Sequence, residues 1–259
     1  MASNNHDDDS IQTLESGHVY FFYRPRVEED SPEGRQDVQR LYMVLSPQGE
    51  KRYRMVVVGR KHLPDPARKG KERNWAFVDK VTNQPKSIAE ALQQESYSTK
   101  TRGERQVPTA RPAGEGVYQI VRHDDHTHLV YVLELPNSPG DVQDELEIDE
   151  QASYIISVKN PAAGSPRAAG LSSDQQADYP KRLQEVFRDR KFSELDPVDF
   201  LNYQGAELLL ISAAEDPQQE LGIKLDADRE SRSSADMFRD LRVKKSEHPL
   251  EPLFAGDWE

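Results

Sequence analysis

Nine short runs of β-branched and aromatic residues, each closed by proline, glycine or a polar turn, constrain the fold of this chain more than any other feature. They are 18–27, 41–45, 53–58, 74–81, 116–122, 128–135, 153–158, 206–212 and 221–225. Runs this short and this rich in Val, Ile, Tyr and Phe are strands rather than helices. Pro25 stops the first, Ser46-Pro47-Gln48-Gly49 closes the second, and Gly59 ends the third. Along the fourth, Trp75, Phe77 and Asp79 fall on one face. The last two runs read as a hairpin. Helical signals are few. Ser87 with Glu90 has the spacing of a capping box for a helix over 87–94, and Pro180 suits the first position of a helix over 180–190 that presents Leu183, Val186 and Phe187.

The expected fold is therefore α+β and β-rich, a mostly antiparallel sheet or barrel-like core with one or two helices. Its two halves look alike. Gly17-x-Val-Tyr, 41–47 and Tyr53–Val58 run parallel in pattern to Gly116-Val-Tyr, 130–136 and Tyr154–Val158. A duplicated three-strand meander accounts for this, and so does the composition that any strands share. Residues 1–15 form an acidic tail expected to be disordered, 16–226 a single β-rich domain with a flexible loop at 95–114, and 227–259 a C-terminal tail. The tail is proline-broken but rich in large apolar groups. It either latches onto its own domain or engages a protein partner through 236–258.

Composition narrows the class. Of 259 residues 35% are hydrophobic, enough for one good-sized core or two small ones, and none is cysteine, which removes disulfides and thiolate-ligated zinc. No apolar run reaches the ~18–20 residues of a membrane span, and the polar, acidic start does not resemble a signal peptide. The expected compartment is the cytoplasm, with the nucleus second. The net charge of −12 opposes binding to nucleic acid. It hides a basic stretch over 51–73, where nine basic residues face only Asp65 and Glu72, and an acidic one over 141–150.

Four segments, 18–27, 126–136, 152–161 and 205–211, resemble a family of fungal and bacterial proteins with no established function. The likeness spans about residues 14 to 225. Some fungal members carry the label "BTB domain transcription factor", but these segments contain neither a helix-rich BTB pattern nor a DNA-binding motif. The resemblance implies a family and no mechanism.

Motifs that carry chemistry are sparse. Gln119 stands where a dinucleotide-binding fingerprint needs its third glycine, Gly70-Lys71 is followed by Glu72 rather than a hydroxyl, and there is no Gly-x-Ser-x-Gly or His-Glu-x-x-His. One constellation is His123-Asp-Asp-His126-Thr-His128. With Asp124-Asp125 as the turn, His123 pairs with His126 and Val121 with His128, so the three imidazoles share one face and can offer a divalent metal three ligands. The bland alternative is a solvated polar hairpin tip. A second constellation is basic: Arg60, Lys61, Arg68, Lys69, Lys71 and Arg73 beside Trp75 form an anionic-ligand or partner surface, or else a solvated loop paired with the acidic stretch. Tyr20-Phe-Phe-Tyr23 reads as core, while Arg24 and Arg26 serve an anion or lie exposed. The leading functional class is a non-catalytic soluble binding or adaptor protein. The alternative is a metal-binding protein or metal-dependent enzyme built on the histidine hairpin, and third comes a nucleic-acid-associated regulator.

Overall fold

The computed structural model describes residues 11–99, 101, 103–164, 170–227 and 230–258. Its strands are β1 (Gln12–Pro25), β2 (Val38–Pro47), β3 (Tyr53–Val58), β4 (Arg73–Thr82), β5 (Glu95–Thr99), β6 (Gly103–Val107), β7 (Arg111–His123), β8 (His126–Leu135), β9 (Gln151–Lys159), β10 (Phe192–Glu194) and β11 (Glu207–Ala214). The large sheet runs β10-β9-β11-β4-β3-β2-β1-β7-β8, and a further β8–β9 pairing closes it. Eight antiparallel strands thus make a barrel, with β10 appended to β9 where β8 leaves off. Closure removes the edges that open sheets must protect.

Two meanders of equal order face each other around the barrel, β1-β2-β3-β4 and β7-β8-β9-β11, joined where β1 meets β7 and β4 meets β11. The first strand of each carries a glycine with the same task. A Cβ on Gly17 would lie 2.1 Å from the carbonyl oxygen of Ser46, and one on Gly116 would lie 2.1 Å from that of Val132. Only glycine allows the neighbouring strand so close.

Alternation sorts side chains between the barrel interior and its wall. Val19, Phe21 and Tyr23 of β1, Met43 of β2, Val56 of β3, Val78 of β4, Tyr131 of β8, Tyr154 of β9 and Leu208 of β11 fill the inside. Phe21 meets Tyr131 edge-on at 5.2 Å, joining the two halves. The interior is a packed core. Where β1 and β2 also bury their outer residues, Tyr20, Phe22, Tyr42 and Val44, the strands read as unbroken apolar runs. The aromatic block is core on both faces.

The cover over that wall comes from helices and from the C-terminal segment. The helices are α1 (Pro85–Leu92), α2 (Asp141–Leu146), α3 (Lys181–Gln184), α4 (Pro217–Leu221), α5 (Asp236–Asp240) and α6 (Glu251–Phe254). Ile88 and Leu92 of α1 join Met237, Leu241, Val243 and Leu253 over Tyr20 and Phe22. Trp258 packs edge-on to Tyr23 at 5.2 Å. Of the apolar groups that the sequence offers to a partner at 236–258, Met237, Leu241, Val243 and Leu253 are thus buried on the barrel itself, and Phe238, Phe254 and Trp258 are half-buried.

Several local expectations differ from what forms. The first helix starts at Pro85, with Gln84 as N-cap and Ser87 inside the first turn rather than capping it. The helix expected over 180–190 breaks after Phe187, because Arg188 and Asp189 adopt left-handed conformations (φ 46° and 64°). The acidic stretch contains α2, whose Val142 and Leu146 enter the interior cluster. Residues 95–99 and 103–107 form a small two-stranded ladder, and β7 starts at Arg111, where Pro112 and Gly114 disguise a strand. The expected second strand of the last hairpin does not form: Leu221 ends α4, and Gly222 follows it in a left-handed conformation. Leu221, Ile223 and Leu225 still alternate inward, onto Val121 and Val130, without a ladder. The tail expected to be disordered lies outside the described residues up to residue 10, whereas Gln12 to Glu15 belong to β1. Among the described residues no helix is long and apolar enough to cross a membrane.

Candidate ligand-binding site

Strand β4 builds the site because its alternation is regular. Asn74, Ala76 and Val78 point into the barrel, which leaves Arg73, Trp75 and Phe77 on the outer wall. Across the ladder Trp75 faces Leu209 and Phe77 faces Glu207 of β11. The Trp75 ring also leans on Phe192 at 5.8 Å, which fixes one of its sides. Above β4 the chain leaving β3 makes a tight turn in which Arg60 (φ 59°) and Lys61 (φ 64°) are both left-handed. Two consecutive non-glycine residues there store strain, and such strain gathers at functional sites. The turn is anchored by Asn74, whose Nδ2 donates to the His62 carbonyl at 2.7 Å.

Between turn and wall lies a cavity of about 410 Å³ lined by Arg60, Trp75, Phe77, Leu171, Glu207 and the backbone of Gly59, Ala76 and Gly170. Glu207 is buried and its charge is balanced. It accepts from Lys159 Nζ at 2.8 Å, from the Leu171 amide at 2.9 Å and from Gln176 Nε2 at 3.2 Å. The cavity therefore has an aromatic wall and a neutralised floor, and its mouth is cationic.

Arg60 also borders an adjoining open depression of about 640 Å³, shared with Arg68, Lys71, Glu72 and Arg73. Arg68 pairs with Asp65 at 3.0 Å, whereas Arg60, Lys71 and Arg73 make no ion pair among the described residues. None of the basic residues from 60 to 73 pairs with the acidic stretch 141–150 among the described residues. Of the basic residues singled out in sequence, the structure gathers Arg60, Arg68, Lys71 and Arg73 around this depression, and of these Arg60 also lines the Trp75 cavity. Lys69 instead pairs with Glu220 at 2.7 Å. Lys61 lies near Arg26, and burial together with that neighbour lowers its pKa. Arg24 serves no anion. It is buried, and its guanidinium donates to the carbonyls of Ala91, Gln93 and Pro108.

The histidine hairpin has the register that its turn implies, with His123 opposite His126 and Val121 opposite His128. The rings of His123 and His128 stand 6.1 Å apart at 65°. His128 is 4% exposed, and its Nδ1 lies 3.1 Å from Ser153 Oγ. Burial holds its pKa down to about 4, so the imidazole is neutral near pH 7. His126 is exposed. Among the described residues, these three are not a group whose donor atoms all come within 4.8 Å of one another.

Sequence reasoning missed Leu171 and Glu207, which reach the cavity from distant parts of the chain. A lone carboxylate opening the apolar run 206–212 was the available signal for Glu207, and Leu171 carried none. Comparisons with family models, with curated proteins and with solved structures give no match to this chain.

Proposed function

We propose that the protein is a non-catalytic binding protein whose ligand is a small anion carrying a flat ring, such as a nucleoside monophosphate. The ring lies against Trp75 and Phe77, and the anionic group reaches Arg60 and the basin of Lys71 and Arg73. The observation that carries this reading is the sharing of Arg60 between an aromatic-walled cavity and a depression in which Arg60, Lys71 and Arg73 make no ion pair among the described residues. Pockets that combine apolar walls with a few convergent charges are the usual form of a small-molecule site. Binding rather than catalysis is favoured because the titratable side chains lining the cavity are Arg60 and Glu207. The first is a guanidinium suited to holding an anion, and the second is engaged by Lys159 and Leu171.

Titration of the chain with nucleoside monophosphates and their nucleosides, followed by tryptophan emission, tests this. At least one monophosphate should bind saturably and its nucleoside at least tenfold more weakly. Arg60→Ala should weaken binding about tenfold, the ~1.4 kcal/mol expected of one charge-assisted contact. Trp75→Leu, which removes the reporter and is therefore followed by calorimetry, should abolish binding. Equal binding of nucleoside and monophosphate, or binding indifferent to both substitutions, would sink the proposal. An oligonucleotide far tighter than its mononucleotide would move the reading to single-stranded nucleic acid.

A further inference from the structure

On the outer face of β1, His18 stacks on Tyr20, with ring centroids 6.3 Å apart and planes at 10°. Helix α5 crosses over this pair. Its Asp236 and Asp240 are four residues apart, so their carboxylates lie on one face of the turn. One nitrogen of His18 and one oxygen from each carboxylate all lie within 4.8 Å of one another. The arrangement is held from behind. Tyr20 Oη donates to Asp240 Oδ2 at 3.0 Å, and buried Glu115 accepts the amides of Asp236 at 3.1 Å and Met237 at 2.9 Å.

Two features separate this cluster from an ordinary surface ion-pair group. Nδ1 of His18 is buried and has no hydrogen-bond partner among the described residues, a costly state for a polar atom. The cation present, Arg239, bridges the carboxylates at 2.7 Å and 2.8 Å, but its side chain is 66% exposed and it leaves the imidazole unserved. A fork that rides outside the cluster can swing away without disturbing the core.

We infer that His18, Asp236 and Asp240 form a divalent transition-metal site that staples the C-terminal segment to β1. One imidazole and two carboxylates suit manganese, iron, cobalt or zinc better than calcium or magnesium, which take oxygen ligands throughout. The two carboxylate charges balance the ion, and three protein ligands leave coordination positions for water. Asp236 and Asp240 lie 218 and 222 residues beyond His18, so the bound ion ties α5 to the first strand. The site shares no residue with the Trp75 cavity and stands or falls independently of it.

The test is calorimetric titration of untagged, chelator-stripped protein with Zn2+ and Mn2+, alongside thermal melting. The expected result is one ion per chain and a saturable rise in Tm. His18→Gln and Asp236→Asn should each weaken binding at least a hundredfold, with metal-free melting close to that of the parent. Arg239→Ala should leave binding intact or tighten it, since it removes a competing cation. A group that is only an ion-pair network would instead gain nothing from metal and lose stability with Arg239. His126→Ala should leave the titration unchanged. Loss of binding in His126→Ala, its survival in His18→Gln, or equal affinity for Ca2+ would overturn the assignment.

Discussion

At the scale of single residues, buried charge does more than the total charge suggests. Arg24 is a strand residue whose guanidinium closes the C-terminal carbonyls of α1, a task invisible in a sequence where arginine beside aromatics reads as exposed. Arg54 is 1% exposed and reaches Glu15 at 2.6 Å and Asn202 at 2.9 Å, while Tyr118 donates to the same Glu15 at 2.7 Å. Glu115 is the residue with the clearest consequence in solution. Burial pushes its pKa up to about 8, the amides of Met237 and Asp236 oppose the rise, and neighbouring Glu230 adds to it. The folded protein therefore keeps a proton that the unfolded chain has released above about 4.5. Stability from this group is present in full below that value and is lost as pH rises toward 8. Melting temperature followed from pH 5 to 8 should fall more steeply for the parent than for Glu115→Gln. Parallel curves would show that the carboxyl is ionised throughout.

At the scale of elements, the turn after β3 links strain to binding. A left-handed non-glycine residue costs roughly 1 kcal/mol, which glycine does not. Arg60→Gly should accordingly leave the melting temperature unchanged or raise it by a few degrees, while removing the cation that joins cavity to basin. A protein more stable and yet unable to bind would show that Arg60 is held in place for its ligand. A loss of several degrees would mean instead that the side chain is part of the packing. The same scale explains which elements could be read in advance. The alternation of β4 and the register at Asp124-Asp125 follow from period and turn chemistry alone. α2 was hidden because its apolar positions, Val142 and Leu146, are few among acids. The start of β7 was hidden because Pro112 and Gly114 are poor strand formers held in place by their β1 partners Phe22 and Phe21.

For the whole molecule, closure couples the halves. Phe21 and Tyr131 meet inside, β1 and β7 share eleven paired positions, and the segment 235–253 covers the outer faces of β1, β2 and β3. The interior core draws on both halves. Urea unfolding followed by far-UV circular dichroism and by tryptophan emission should give coincident single transitions. Separated transitions would mean that the two meanders are independent units.

The amino-acid pattern alone determined that this chain would be β-rich and antiparallel, where its principal strands lie, and that Trp75 and Phe77 would share one face of β4. These are local matters, because a strand's two-residue period and its turns are written in consecutive residues. Tertiary structure alone decided that the sheet closes through β8 and β9, and which side chains meet across it. Glu207 and Leu171 reach Trp75, and Asp236 reaches His18, from far along the chain. A buried face declares in sequence that it needs a cover, but the identity of the cover is settled only by burial and packing of the folded barrel as a whole.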